Sequence, residues 1–231
     1  MSFANLLALA VAPVIICLIY MYIRDKYEKE PIRLLVTGVL FGVVITFPII
    51  HAENFVTMLM PIGGLTFEAF YTAFITAALV EEGMKFAVLF FLTWREKNLN
   101  ERFDGIVYAA FISLGFAGFE NALYVFNPDL GGVTTGLLRA IISVPGHGFF
   151  GVAMGYYFAL AKLEPEKKAA RLLSAFFAAW LTHGVFNFII MSEMPYMIAV
   201  FGVFLAIMWI NGFRRMKRHL ENSPFKTEKA R

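Results

Sequence analysis

The stretch LVEEGMKFAVLFF, residues 79–91, carries charged side chains inside a long apolar run. The run extends over about residues 67–92, which is long enough for a membrane-spanning helix of about 20 residues. Glu81, Glu82 and Lys85 lie near its middle. A charge at the bilayer centre costs roughly 2.5–3.5 kcal/mol on insertion scales, so such residues indicate a functional site.

The spacing of these three residues brings them to one face of a helix. Glu81 and Lys85 are four positions apart, and Glu82 and Lys85 are three apart, so both pairs are within reach. Lys85 can neutralise only one carboxylate, and the other needs water, a proton, a histidine or a metal ion. The motif therefore predicts a general base. The alternative is a structural ion cluster that orders the helices.

Two histidine motifs carry further polar groups in apolar surroundings. In HGVFN, His183 and Asn187 lie one turn apart and could donate hydrogen bonds to a developing oxyanion. Alternatively, His183 binds a metal ion that Asn187 helps to orient, or the pair only links helices. In PGHGFFG, His147 follows Pro145 and lies between two glycines, which allow close approach of another backbone. A packing role remains open for His147.

A fourth segment, FAGFENALY, places Glu120 in an apolar run. Glu120 could orient a histidine, bind metal, share a proton with Glu81 or pair with Arg139. By contrast, we expect Glu53, with its neighbour His51, to be an interfacial residue at the outer rim, and Asp104 to be the N-cap of a helix.

Composition defines the class of protein that carries these residues. The chain has 231 residues, of which 59% are hydrophobic, and its mean hydropathy is +0.69, so we expect an integral membrane protein. The single cysteine, Cys17, can form neither an internal disulfide nor a thiolate metal cage. Neither Ser113 nor Ser143 belongs to a recognisable nucleophile motif.

Hydropathy predicts an all-α, polytopic membrane helix bundle of about seven to eight transmembrane helices. The expected domains are a membrane domain, 1–213, and a basic cytoplasmic tail, 214–231. The predicted apolar segments are Phe3–Ile23, Leu34–Ile50, Phe67–Leu92, Gly105–Phe126, Leu137–Ala161, Leu172–Met191 and Tyr196–Phe213.

The basic residues predict the orientation of the chain. All lysines and arginines except Lys85 and Arg139 lie in the first, third and fifth connections and in the tail. Positive charge marks the cytoplasmic side, so we expect the N-terminus outside and the C-terminus inside. The expected surroundings are a lipid bilayer, and we expect no nucleic-acid partner.

Helix lengths bring Glu81, Glu120, His147 and His183 to one central-to-outer layer at about 1.5 Å per residue. A Glu and a His can activate water, which favours hydrolysis. A zinc ion would suit these ligand types, with Glu81, His147 and His183 as candidates, but there is no HExxH motif. The metal therefore stays open, including the absence of any cofactor. The alternatives are a proton- or cation-coupled transporter that uses the Glu/Lys/His cluster, or a non-enzymatic scaffold.

Several motifs together resemble the PrsW family of bacterial intramembrane proteases, which is distantly similar to the type II CAAX prenyl endopeptidases. They are YEKEP at 27–31, EEGMK at 81–85, FAGFE at 116–120, PGHG around His147 and HGVFN at 183–187. The resemblance implies a multi-pass protein of the bacterial cell membrane. It also implies a substrate, a single-pass anti-sigma factor cut first on its extracytoplasmic side during a stress response.

The resemblance also implies roles for individual residues. Glu81 activates water with support from Glu82 and Lys85, and His183 with Asn187 stabilises the oxyanion. The wider group commonly has a histidine where this chain has Glu120, which leaves the partner of the water-activating residue open. His147, from a different helix, could take that place.

Overall fold

A computed structural model describes residues 2–226 of the chain. Within these residues the regular structure is helical. The α-helices are α1 (Phe3–Arg24), α2 (Ile32–Val44), α3 (Thr46–Met58), α4 (Leu65–Phe70), α5 (Val80–Thr93), α6 (Arg102–Phe126), α7 (Gly132–Ile141), α8 (Ser143–Leu163), α9 (Lys168–Met191) and α10 (Met197–Glu221). A π-helix (Tyr71–Leu79) joins α4 to α5, and short 3₁₀ turns occupy Pro128–Leu130, Pro165–Lys167 and Pro224–Lys226.

These helices combine into seven rods. Six are long and apolar enough to cross a membrane: α1, α2 with α3, α6, α7 with α8, α9 and α10. The seventh rod, α4 to α5, runs continuously through the π-helix and contains Glu81, Glu82 and Lys85. The expectation of a polytopic all-α bundle is confirmed.

Helix α6 forms the centre of the bundle, and most of its residues are buried. It packs against α1, α2 and α8. Glycines allow the closest of these approaches, since a Cβ on Gly155 would overlap the carbonyl oxygen of Gly105, and one on Gly42 would overlap that of Ile112. Small residues at such contacts are typical of membrane helices, where van der Waals packing drives association.

Prolines explain two breaks in the rods. A proline lacks the N–H that would bond to the carbonyl four residues earlier, and its ring clashes with that carbonyl. Helix α2 gives way to α3 at Ile45, three residues before Pro48, and α7 gives way to α8 at Ile142, three residues before Pro145. Both bends therefore have a local cause in the sequence.

Proline also explains a buried amide in the core. Pro13 lies inside α1 and cannot bond to the carbonyl of Leu9. The Nδ2 group of Asn121, on α6, donates to the Ala10 carbonyl at 3.0 Å and approaches that of Leu9 at 3.4 Å. Asn121 thus stabilises the contact between α1 and α6, whereas its neighbour Glu120 lies in the site described below.

The N-terminal end of α6 is capped differently from the sequence expectation. Asp104 is not the N-cap, which is Glu101, but the third residue of the helix. Its Oδ2 accepts the backbone N–H groups of Asn100 and Glu101 at 2.9 and 2.7 Å. Nearby, the hydroxyl of Tyr108 donates to the carboxyl group of Glu30, in the connection between α1 and α2.

The predicted tail, 214–231, begins as helix. Helix α10 continues to Glu221 and is followed by the turn Pro224–Lys226. The remainder of the tail lies outside the described residues, so its cytoplasmic placement stays a prediction.

Candidate active site

The site residues of the sequence analysis meet around a cavity of ≈ 390 Å³. Its wall includes Glu81, Glu120, His147, His183 and Asn187. These side chains come from α5, α6, α8 and α9, and α3, α7 and the π-helix complete the wall. The structure therefore brings together five residues from four helices that are widely separated in the sequence.

Glu82 and Lys85 lie behind this wall rather than on it. Lys85 Nζ is 2.9 Å from Glu81 Oε2 and 2.9 Å from Glu82 Oε1. It also lies 3.9 Å from the centre of the Phe116 ring, which favours the ammonium through a cation–π contact. Because Glu82 is 0% and Lys85 1% exposed, Glu81 is the carboxylate of the motif that faces the cavity.

The π-helix Tyr71–Leu79 ends directly before the motif. A π-helix contains more residues per turn than an α-helix, and such turns occur frequently at functional sites. The wider turns change the rotation of the chain just before Glu81 and Glu82. Composition alone gives no signal for this change of pitch.

His183 connects the motif on α5 to α9. Its Nδ1 lies 2.9 Å from Glu82 Oε1, and its Nε2 lies 3.0 Å from Asn187 Nδ2. A carboxylate only accepts, so Nδ1 carries the proton and Nε2 accepts from the amide of Asn187. The ring of Phe150 stacks on the imidazole at 4.6 Å, which restricts its rotation. One N–H of Asn187 is used in this bond, and the second is available to the cavity.

His147 has a similarly defined environment. Its Nε2 lies 3.1 Å from Glu120 Oε2, and its Nδ1 lies 3.3 Å from Lys85 Nζ. Two of the four alternatives for Glu120, contact with a histidine and pairing with Arg139, are therefore present together, because Arg139 Nη2 lies 2.7 Å from the same carboxylate oxygen. The side chain of Arg139 packs over the Tyr124 ring at 4.1 Å.

Two functional candidates were missed or misplaced by the sequence analysis. Glu53 lines the same cavity as Glu81, so its assignment as an interfacial rim residue was wrong. Its neighbour His51 is exposed. Pro48 was the feature of the sequence that could have indicated the position of Glu53, since a bend there can turn a rim residue toward the cavity. Arg139 was considered only as a partner of Glu120, but it also lines the cavity.

The donor set fits a metal ion. Ligand atoms of Glu81, Glu82, His147 and His183 all lie within 4.8 Å of one another, and all four residues are buried. Glu82 Oε2 has no hydrogen-bond partner among the described residues. Two carboxylates and two imidazoles provide the oxygen and nitrogen ligands that zinc accepts. Lys85 Nζ lies between the same groups, so an ammonium and a metal ion would compete for them.

Comparison with known proteins identifies the family. Residues 30–212 match the PrsW family intramembrane metalloproteases. A protein named Protease PrsW from Clostridioides difficile (strain 630) is 34% identical over 222 residues, which cover 95% of this chain and 93% of that protein. Protease PrsW from Geobacillus kaustophilus (strain HTA426) is 34% identical over 214 residues, which cover 93% and 92%.

A third relative, Protease PrsW from Bacillus subtilis (strain 168), is 32% identical over 216 residues, which cover 92% of this chain and 94% of that protein. No solved structure gives a significant match. The family match favours proteolysis over transport as the use of a buried Glu/Lys/His cluster. With seven rods, a cavity at membrane depth and relatives that cover nearly its whole length, this chain belongs to the PrsW family and is a multi-pass intramembrane protease of the bacterial membrane.

Proposed function

We propose that this protease makes the first, extracytoplasmic cut in a single-pass anti-sigma factor, with Glu81 as the base that activates water. The observation that carries the proposal is the different exposure of the two carboxylates. Glu81 lines the cavity, whereas Glu82 is sealed between Lys85 and His183. Only a group that reaches the cavity can take a proton from a water molecule there.

The remaining residues of the cluster support this role by holding Glu81. Lys85 binds both carboxylates and counters their mutual repulsion. Glu82 in turn accepts a hydrogen bond from His183. The three charged groups and the histidine thus keep the Glu81 side chain at the cavity wall.

The tetrahedral intermediate of peptide hydrolysis needs hydrogen-bond donors for its oxyanion. The second N–H of Asn187 is available, and the amide is oriented by its bond to His183. We infer that Asn187 contributes directly, and that His183 acts mainly by orienting Asn187 and Glu82. His147 lies beside His183 on the wall, and the two rings make an edge contact at 5.2 Å.

Zinc is the metal ion that we propose, with Glu81, His147 and His183 as its candidate ligands, which would leave a fourth position open for water. A bound zinc ion would polarise the scissile carbonyl and make water more acidic. The chain's own contribution would be the fixed carboxylate and imidazole groups described above.

The position of the cavity supports an extracytoplasmic cut. Its wall includes Leu130, in the connection after α6, and Met191, at the end of α9. Both lie opposite the cytoplasmic ends assigned from the basic residues. An anti-sigma factor with one transmembrane helix would present its outer juxtamembrane segment at this level. The substrate and its link to a stress response follow from the family resemblance.

The test is cleavage of a single-pass anti-sigma factor by purified protein in liposomes. We expect Glu81→Gln to lower kcat by about 10²–10⁴-fold, the usual contribution of a general base. The matched control is Glu68→Gln, on the same rod but at its outer end, and it should cut at the normal rate. Cleavage by folded Glu81→Gln at the rate of the unchanged protein would refute the role of Glu81.

A second pair of variants separates the histidines. His183→Ala should lose cleavage, whereas His51→Ala, which changes an exposed histidine, should not. The cleaved bond is then located by mass spectrometry. A cut on the cytoplasmic side of the substrate helix would contradict the proposed position.

A further inference from the structure

The side chain of Arg139 is the basic group on the cavity wall that the proposed chemistry does not use. It lies on α7, and its side chain is 11% exposed. A guanidinium at membrane depth costs free energy unless it is paired, so its retention there calls for a partner. That partner is Glu120, and the Tyr124 ring fixes the other face of the guanidinium.

Glu120 connects Arg139 to His147 through a single atom. Its Oε2 lies 2.7 Å from Arg139 Nη2 and 3.1 Å from His147 Nε2. A carboxylate paired with an arginine is an acceptor only, so the imidazole must supply the proton from Nε2. The arginine thereby determines which nitrogen of His147 carries hydrogen.

The other nitrogen of His147 gives an independent indication of the same state. Its Nδ1 lies 3.3 Å from Lys85 Nζ, and an ammonium is a donor only. Nδ1 must therefore accept. The two partners, on different helices, favour the same tautomer, with a lone pair turned toward the motif on α5. The contact with Glu120 is the shorter one, and Lys85 already binds two carboxylates at 2.9 Å, so Glu120 is the stronger determinant.

The break in the rod at Ile142 permits this arrangement. In a straight α-helix, Arg139 and His147 would be separated by about 12 Å along the axis and by about 80° around it. The bend that Pro145 introduces lets both side chains reach Glu120 from the same rod. The rings of Phe116 and Phe150 hold the imidazole at 5.4 Å on two sides.

We propose that Arg139 is a positioning residue for peptide cleavage: acting through Glu120, it fixes the imidazole of His147 with Nδ1 turned toward Lys85 and the carboxylates of the motif. The inference rests on the proposed site, but its geometry can be measured without a substrate. Partners that orient a catalytic or ligating histidine through its second nitrogen are worth about 10–100-fold in activity or metal affinity.

The first measurement is the ¹⁵N spectrum of the imidazoles, which is tractable because the chain has four histidines. Replacement of His147 assigns its signals. We expect one tautomer, protonated at Nε2, in the unchanged protein and in Arg139→Lys, which keeps the charge. In Arg139→Gln, we expect the two nitrogen shifts to move toward each other as both tautomers become populated. Arg214→Gln, at an exposed position on α10, is the matched control.

The second measurement is cleavage of a fluorogenic single-pass peptide that carries a quencher on its outer juxtamembrane segment. Arg139→Gln should lower kcat by about 10–100-fold with little change in KM, and Arg139→Lys should restore part of the loss. In a protein that already carries Glu120→Gln, Arg139→Gln should lower kcat little further, because both residues act through one contact.

The outcomes separate this inference from the proposed function. A single Nε2-protonated tautomer in Arg139→Gln would overturn the inference, whatever the cleavage rate. So would a raised KM at unchanged kcat, since Arg139 would then contact substrate. If Arg139→Gln shows both tautomers of His147 but cleaves at the normal rate, Arg139 positions His147, and a role for His147 in the reaction is refuted.

Discussion

At the scale of single residues, the EEGMK motif divides its charges between a group on the cavity wall and groups in the interior. Glu81 faces the cavity, and Lys85 and Glu82 are sealed behind it. Buried charges of this kind contribute little net stability when complete, because desolvation offsets their attraction. Removing one partner is costly, since it leaves the other uncompensated in the interior.

The stability of Lys85→Met tests this division. The change leaves two buried carboxylates without their cation, and we expect a loss of about 3–5 kcal/mol in the free energy of unfolding. Denaturant unfolding in detergent micelles measures it. Lys217→Met is the control, because that side chain is 72% exposed and, among residues 2–226, forms an ion pair with Glu221 alone. Equal stability of the two variants would contradict a sealed ion cluster.

Glu30, in the connection between α1 and α2, offers a second residue-level prediction. Burial raises the pKa of Glu30 from 4.5 to about 7, with Asp25 and Glu28 adding to the rise, although bonds from Tyr108 and Asp104 oppose it. The folded state therefore favours the protonated form. Its stabilising contribution is complete below pH 4.5 and is lost as the pH rises through about 7.

As the pH rises across this range, the melting temperature of Glu30→Gln should fall less steeply than that of the unchanged protein, because the amide cannot ionise. Identical pH profiles would assign the dependence to other groups. Tyr108→Phe, which removes the hydroxyl that favours the charged form of Glu30, should steepen the decline.

At the scale of helices, sequence reasoning succeeded where composition carries the signal and failed where local geometry does. Seven apolar segments predicted seven rods, because a bilayer admits few structures other than helices of about that length. The pairings of Glu81 and Glu82 with Lys85 followed from helical spacing. Asp104 was misassigned as an N-cap because capping depends on where a helix starts, within one or two residues.

The errors at the site have a common cause. Depth was counted along straight helices, but α3 and α7 meet their neighbouring helices at bends before Pro48 and Pro145. Glu53 was therefore placed at the rim, although it lines the cavity. The direction of a bend depends on packing against neighbouring helices, which a single sequence does not specify.

Close packing of α6 gives a prediction at this scale. Gly155→Ala should destabilise the bundle by about 1–3 kcal/mol, because the added methyl would meet the backbone of Gly105 and overpack the contact between α6 and α8. Gly202→Ala, on α10, is the matched control, since a Cβ there meets nothing within 4 Å. Thermal unfolding of both variants measures the difference. Equal melting temperatures would mean that the two helices separate easily.

At the scale of the whole molecule, the bundle encloses its polar groups and exposes its apolar ones. Most large exposed side chains on α1 and α10 are aliphatic or aromatic, as expected for surfaces in contact with lipid. The charged cluster lies among the helices, where neighbouring groups satisfy it. The arrangement keeps hydrolytic chemistry inside a protein whose outer surface suits a bilayer.

The position of Glu81 on the wall of the cavity has a consequence for the substrate. To be cut there, a peptide carbonyl must face the carboxylate, but in an α-helix that carbonyl accepts the N–H four residues on and is surrounded by side chains. A peptide must therefore unwind before its scissile bond reaches the carboxylate. We expect substrates with Gly-Gly near the cut to be cleaved faster than matched Ala-Ala substrates, since glycine weakens a helix by about 1 kcal/mol per residue. Equal rates would indicate that unwinding is not limiting. Faster cleavage of the Gly-Gly substrates would mean that the local stability of a substrate's helix, more than its side-chain sequence, decides whether this protease cleaves it.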